Sequence, residues 1–157
     1  MEMKEYLIET FQFNDHANRQ VLEKIKQLPD KQESIKLFSH LINSQKKWMA
    51  RLLQDPNVQK MDWWDPVYPL EKLEKEWDTV LRTWLAYLEE KQESELFEYA
   101  EFVGYDGGRW AARPKDMALQ LNYHSVHHRA QIQALIRNQG IQPDFVDYIG
   151  TVAKKLS

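Results

Sequence analysis

Three of the five histidines in this chain fall within ten consecutive residues, NYHSVHHRAQ at positions 122–131. His124 and His128 are four residues apart, so on an α-helix they lie one turn apart on the same face. Two imidazoles at this spacing can direct a nitrogen at one point, as the metal ligands of some helices do. The same spacing also suits histidines that hydrogen-bond to helix carbonyls or within a polar pocket. The spacing alone therefore leaves a metal site and a buried polar network open.

A helical wheel separates the three histidines. At about 100° per residue, the apolar residues that share one narrow sector are Met117, Leu121, Ile132 and Leu135. His128 lies in the middle of that sector, His124 at its edge, and His127 roughly 100° from its centre. Burying an imidazole without a partner costs roughly 1–3 kcal/mol. The two histidines on the apolar side therefore need a partner, whereas His127 does not.

A metal ion held by this pair needs a further ligand from another helix. His40 is the available candidate, because it is the only other histidine near an apolar stripe. His16 lies about 200° from Asn14 on its own helix, and we expect it to face solvent. Three neutral imidazoles leave a coordination position of a divalent cation open, which is typical of a catalytic site. Three imidazoles suit several metals, of which we expect zinc first and nickel second.

The elements that must position these residues are four stretches with helical periodicity, at about 4–28, 34–54, 69–91 and 114–138. A long loop, 55–68, separates the second stretch from the third. Segment 96–112 is rich in aromatic residues and contains the turn signal Asp106-Gly107-Gly108, so it predicts a short β-hairpin or an extended crossover. Gly140 is expected to end the fourth helix. The pattern predicts an all-α four-helix bundle that forms one domain over residues 1–157.

Several other residues are candidates for the surroundings of the site. Asn14 and Asn18 lie on the apolar stripe of the first helix, where they could bind a ligand or a metal-bound water, or make a polar contact between helices. Trp63 and Trp64 could fold down onto the end of the bundle or form a pocket wall. His127 is expected to make a supporting or interhelical hydrogen bond rather than to bind the metal.

Two further expectations concern side chains outside that group. Arg129 points nearly opposite the apolar sector of the wheel, so we expect it to pair with a carboxylate. The aromatic and aliphatic residues of the C-terminal tail are expected to pack back on the bundle; these are Phe145, Tyr148 and Ile149.

Composition excludes some classes of function. The chain has 21 basic and 24 acidic residues and a net charge of −3, whereas nucleic-acid-binding domains are usually strongly basic. No segment approaches the roughly 18 apolar residues of a membrane-spanning helix, so neither nucleic acid nor membrane is an expected partner. The acidic segment MEMKEYLIET lacks the apolar stretch of a signal peptide, and we expect a cytoplasmic protein. With no cysteine, thiolate ligands, disulfides and a cysteine nucleophile are excluded.

The histidine segment also carries a resemblance. NYHSVHHRAQ, followed by LIRNQGIQPD, resembles the C-terminal signature of the DinB/YfiT-like superfamily. LFSHLINSQKKWMARLL and FNDHANRQVLEKI resemble its second and first helices, so the resemblance covers nearly the whole chain. It implies a four-helix bundle with a divalent metal held by His40, His124 and His128. Ala130 replaces a glycine that is frequent in the family, and as a good helix former it should leave the site intact.

The resemblance also implies possible chemistry. Several family members are similar to thiol-dependent transferases or isomerases, in which the metal binds an external thiol and lowers its pKa. Thiol-dependent chemistry of this kind implies a small-molecule substrate. Metal-assisted hydrolysis is an alternative, weakened because no Asp or Glu lies on the apolar face of the fourth helix. A third possibility is a non-catalytic, metal-binding stress-response or dimerisation protein, and we expect a homodimer.

Overall fold

A computed structural model describes residues 1–156. In these residues the chain forms four long helices, a small sheet and a short final helix. Their bounds are α1 (Met3–Gln27), α2 (Gln32–Leu52), α3 (Leu70–Glu90), β1 (Ala100–Val103), β2 (Arg109–Ala112), α4 (Pro114–Asn138) and α5 (Ile149–Val152). The predicted mostly helical fold with four long helices is confirmed. Across the same residues, none of the helices has the length and apolarity that crossing a membrane requires.

Proline and glycine set several of the helix ends. Pro29 follows α1, and the residue before it, Leu28, adopts an extended conformation with ψ of 140°, as residues before proline prefer. Pro114 is the first residue of α4, where its missing N–H leaves no hydrogen bond unmade. Gly140 follows α4 with φ of +80°, the left-handed conformation that commonly ends a helix.

The helices pack in a closed arrangement, in which α1 and α2 each contact both α3 and α4. Two apolar clusters fill the space between them, and each receives side chains from all four helices. The first includes Val21, Phe38, Trp77 and Ile132. The second includes Phe11, Met49, Trp84 and Leu121. Together these clusters hold the helices in a fixed register, because buried side chains pack at nearly crystalline density.

Buried polar residues lie along the helices between the two apolar clusters. Five of them are Asn14 and Asn18 on α1 and Ser125, His128 and Arg129 on α4. We call these five residues the polar layer. Each is at most 8% exposed, so each must find hydrogen-bond partners within the protein or lose free energy. The polar layer is therefore where the fold can position chemistry.

The segment before α4 is a hairpin rather than a crossover. Strands β1 and β2 pair antiparallel, with Ala100 opposite Ala112. Gly107 occupies the turn with φ of +77°, which explains the Asp-Gly-Gly sequence. The hairpin is attached to the end of α2, since Arg51 donates to the Val103 carbonyl and Gln54, two residues after the helix, donates to the Glu101 carbonyl over 2.6 Å. A short 3₁₀ segment, Glu93–Phe97, precedes it and was not predicted.

The expectation for the C-terminal tail is wrong in part. Phe145 is 70% exposed and Ile149 is 61% exposed. Tyr148 alone makes the expected type of contact, since its ring lies edge-on to Phe13 of α1 at 5.2 Å between centroids. The reason is that the two clusters already fill the space between the helices, which leaves the tail no interior position to occupy.

Candidate metal centre

The three histidines named from the sequence come together between α2 and α4. His124 Nε2 lies 2.9 Å from His40 Nε2 and 3.0 Å from His128 Nε2. One ligand atom from each histidine falls within 4.8 Å of the other two, so the group could hold a metal ion. The group contains no carboxylate from any of the described residues. The structure thus joins a residue of α2 to a pair on α4 that lies 84 or more positions away in the chain.

The second ring nitrogen of two of these histidines is occupied. His40 Nδ1 lies 2.7 Å from the Trp63 carbonyl, and because a carbonyl only accepts, Nδ1 must carry the proton. His128 Nδ1 lies 2.6 Å from the side-chain oxygen of Gln131 and donates in the same way. In a neutral ring the proton on Nδ1 leaves Nε2 with a lone pair. Both lone pairs are directed towards His124.

Burial keeps these imidazoles neutral. Burial first, and then charge repulsion from His128, His40 and His127, lower the pKa of His124 to about 4. Burial is also the first cause of the lowered pKa of His40 and of His128. Desolvation disfavours the charged form of a histidine, so at neutral pH the three rings are unprotonated bases. That is the state in which imidazole binds metal ions.

The loop between α2 and α3 covers one side of the histidines. Trp64 stacks on the His40 ring with 3.8 Å between centroids and 9° between planes, and it remains 41% exposed. Trp63 contributes its carbonyl to His40, while its indole turns towards Trp48 on α2. Trp64 is therefore a wall of the histidine site, and Trp63 supports the site through its backbone.

His127 lies apart from the other three histidines. It is exposed on α4, with its ring centroid 4.9 Å from that of His128, and it is not part of the group that could hold a metal. His16 is also exposed, on α1. The helical wheel separated these two from the converging histidines. The supporting or interhelical hydrogen bond expected of His127 is not found among residues 1–156, where its ring contacts that of His128 instead.

Asn14 and Asn18 contact Arg129 rather than the histidines. Arg129 Nη1 donates to Asn14 Oδ1 over 2.7 Å and to Asn18 Oδ1 over 2.8 Å. Asn18 Nδ2 in turn donates to Ser125 Oγ over 2.9 Å. This is the interhelical alternative of the two roles considered for the asparagines. It ties α1 to α4 one residue away from His128.

The expectation for Arg129 is wrong. Its side chain is 3% exposed, and its hydrogen bonds are accepted by two amide oxygens and, at 3.5 Å, by Ser125 Oγ, not by a carboxylate. Burial lowers its pKa to about 10, which still leaves the guanidinium charged at neutral pH. The wheel failed because α4 contacts both α1 and α2, so its buried side is wider than its apolar stripe.

Two groups that accept hydrogen bonds from the histidines were not identified from the sequence. Gln131 lies three residues after His128 on α4 and so on the same side of the helix, a signal that could have identified it. The Trp63 carbonyl has no such signal, because every residue carries a carbonyl and only the path of the loop decides which one reaches His40.

A comparison with family models supports the resemblance seen in the sequence. The model of the DinB family matches residues 1–155, which includes every helix, the hairpin and all three converging histidines. No curated protein and no solved structure matches the chain. A match over nearly the whole length establishes the family, and the chain therefore belongs to the DinB family.

Proposed function

We propose that His40, His124 and His128 bind one divalent metal ion and that the protein is a metal-dependent enzyme of the thiol-dependent transferase type. One observation carries the metal proposal. The Nε2 lone pairs of His40 and His128 both face His124 Nε2 at 2.9–3.0 Å, and a single proton on that atom can serve only one of them. A cation between the three nitrogens would satisfy all of them.

The donor set fits a zinc-like ion. Tetrahedral ligands at a Zn–N distance of about 2.0–2.1 Å lie about 3.3 Å apart, close to the nitrogen separations in this group. Metal-binding histidines almost always donate their other N–H to a carbonyl or carboxylate, and the Trp63 carbonyl and Gln131 provide such acceptors. Zinc remains the first choice and nickel the second, since neutral imidazoles suit both.

The proposal of thiol chemistry rests on the family and on what the site lacks. A bound divalent ion would lower the pKa of an external thiol and so supply a thiolate at neutral pH. The chain has no cysteine of its own. The histidine group contains no carboxylate from the described residues, so the group itself offers no carboxylate as the general base of the alternative, metal-assisted hydrolysis.

Metal content tests the first half of the proposal. Untagged protein, its His128→Ala variant and its His127→Ala variant are supplied with zinc, desalted and measured by elemental analysis. We expect about one equivalent in the wild type and in His127→Ala, and none in His128→Ala. His127 is the matched control, because it is the adjacent histidine but is exposed. Loss of metal from His127→Ala with retention in His128→Ala would contradict the ligand set.

Thiol binding tests the second half. In cobalt-loaded protein, adding 2-mercaptoethanol should produce the near-ultraviolet charge-transfer absorption of a thiolate bound to cobalt, and His128→Ala should give none. Metal binding without this band would contradict the transferase proposal. Turnover of p-nitrophenyl acetate without thiol would then favour the hydrolase, and no turnover would favour a non-catalytic metal-binding protein.

We further propose that the chain forms a homodimer and acts on a small-molecule substrate. Support for the dimer comes from α4, where Tyr123 is 67% exposed and Val126 is 50% exposed. Apolar side chains that neighbour one another on an outer helix face are typical of interaction surfaces. Sedimentation velocity should give twice the mass of the chain, and Tyr123→Glu should give the mass of one chain. A monomeric wild type would contradict this proposal.

A further inference from the structure

Arg51 of α2 lies in an aromatic box outside the histidine group. Its guanidinium carbon is 4.6 Å from the Trp48 ring centroid, 4.7 Å from that of Phe102 and 5.0 Å from that of Trp63. The side chain is only 7% exposed. Aromatic faces attract a cation, so the three rings hold the guanidinium at this position.

The buried guanidinium of Arg51 has few hydrogen-bond acceptors around it. It donates one hydrogen bond, from Nη2 to the Val103 carbonyl over a long 3.3 Å, and its Nε is buried with no partner among the described residues. Arg129, the other buried arginine, differs because Asn14 and Asn18 accept from it at 2.7 and 2.8 Å. A guanidinium has five N–H donors arranged to match a carboxylate, and most of those of Arg51 remain free.

A cavity of about 310 Å³ opens beside Arg51. Its aromatic walls are Trp48, Trp63, Phe102, Tyr105 and Trp110. The volume is at the lower end of that of small-molecule sites, which suits a ligand of one or two fused rings. Arg51 is the only charged side chain among the described residues that line it.

The nearby charges favour an anion in this cavity. Lys47, one turn before Arg51 on α2, also lies over the Trp63 ring, with its Nζ 4.6 Å from the ring centroid. The carboxylate of Asp106, in the hairpin turn, already accepts from Trp110 Nε1 and from the Gly108 N–H, each over 2.9 Å, and that of Glu101 is paired with Arg109. The cavity therefore combines a positive charge with planar apolar walls.

From this arrangement we propose that the cavity between α2 and the hairpin binds a small planar aromatic carboxylate, with its ring between the aromatic walls and its carboxylate on Arg51. The site is separate from the histidine group. The two share only Trp63, whose indole lines the cavity and whose carbonyl accepts from His40. The proposal does not depend on metal binding.

Calorimetric titration with 2-naphthoate and with its neutral counterpart 2-naphthamide tests the proposal. Both are added to metal-free His128→Ala protein, so that no metal can bind the carboxylate. We expect saturable binding, with 2-naphthoate at least tenfold tighter than the amide. Introducing Arg51→Met into the His128→Ala protein should abolish the preference for 2-naphthoate. Introducing Arg82→Met instead, at an exposed arginine of α3, should preserve it. Equal affinities for the two ligands, or no saturable binding at millimolar concentration, would overturn the proposal.

A second variant, Gly104→Ala, changes the aromatic wall of the cavity and leaves the charge of Arg51 unchanged. A Cβ atom on Gly104 would lie 2.4 Å from Cδ1 of Trp110, so Gly104→Ala must displace that indole. We expect both ligands to bind at least threefold more weakly while the preference for 2-naphthoate remains. This variant keeps the test decisive if Arg51→Met fails to fold. Unchanged affinities in Gly104→Ala would place the ligands elsewhere and overturn the proposal.

Discussion

At the scale of single residues, the hydrogen bonds on the far side of each ring decide what the histidines can do. His40 and His128 use Nδ1 to donate to oxygen acceptors, and this fixes which nitrogen offers a lone pair. The pairing also prevents the rings from rotating away from His124. The Trp63 carbonyl and Gln131 thus orient the histidines, although neither would itself contact a metal ion.

Gln131 is expected to control metal affinity without being a ligand. In Gln131→Ala, His128 Nδ1 loses its acceptor at 2.6 Å, so the ring becomes freer to rotate and a weaker base. Loss of such supporting groups typically weakens metal affinity by about 10–100-fold. We expect a weakening in this range when the dissociation constant for zinc is measured by competition with a chromophoric chelator.

The control for Gln131 is Gln120→Ala, at an exposed glutamine of the same helix, which should leave zinc affinity within experimental error. If both variants bind zinc as tightly as the wild type, the hydrogen bond from His128 has no role in metal affinity.

At the scale of the helices, the polar layer sets how α1 and α4 meet. Arg129 bonds to two asparagines one turn apart on α1, so it fixes the register between the two helices. Because Arg129 directly follows His128, this register also sets where the histidine pair stands against α2. Hydrogen bonds depend on direction as well as distance, so these contacts add to the register that the two apolar clusters already set.

Arg129→Met should destabilise the fold. The variant keeps most of the side-chain volume but leaves Asn14 Oδ1 and Asn18 Oδ1 without their donor in a buried position. We expect a loss of about 2–3 kcal/mol in the free energy of unfolding, measured by urea denaturation. Arg137→Met, at an exposed arginine of the same helix, should change it by less than about 0.5 kcal/mol. Equal stability of the two variants would show that the polar layer contributes nothing.

The end of α4 provides a second prediction at this scale. Gly140 has φ of +80°, and open space surrounds the position of its missing Cβ. Gly140→Ala should therefore act through backbone strain alone and lower stability by about 1–2 kcal/mol. Gly140→Asn should lose less, because asparagine tolerates this conformation better. Thermal unfolding of both variants would test this, and equal losses would contradict the explanation.

At the scale of the whole molecule, the neutral histidines make the stability of the metal-free protein depend on pH. An unfolded histidine titrates near pH 6.5, whereas burial lowers the pKa of His124 to about 4 in the folded protein and lowers those of His40 and His128. Well above pH 6.5 neither state is protonated, and stability is at its full value. As pH falls below 6.5, the unfolded chain takes up protons that the folded protein excludes, so stability falls.

We therefore expect the urea midpoint of metal-free protein to fall between pH 7 and pH 5, where few carboxylates titrate. The urea midpoint of the His124→Asn variant should fall less over the same range, since this variant lacks the histidine whose pKa is lowered to about 4. A wild-type midpoint that is constant between pH 7 and pH 5 would show that the folded histidines accept protons freely.

Much of the organisation could be predicted from the sequence because it depends on local chemistry. Apolar periodicity identified the four long helices, and the Asp-Gly-Gly turn indicated the segment that forms the hairpin. The spacing of His124 and His128 identified two neighbours on one helix face, because four residues make about one turn. The first and last residues of the four long helices were right to within two positions, since proline and glycine mark several of them, whereas the short helix α5 was not predicted.

The tertiary structure alone decided what these elements bring together. The sequence offered His40 as a candidate, but only the packing of α2 against α4 places its Nε2 2.9 Å from His124. The width of the buried side of α4 made Arg129 an interior residue, and the filled core left Phe145 exposed. The fold of one loop selected the Trp63 carbonyl, and the docking of the hairpin enclosed Arg51. Such contacts join residues far apart in the chain, so no local pattern encodes them.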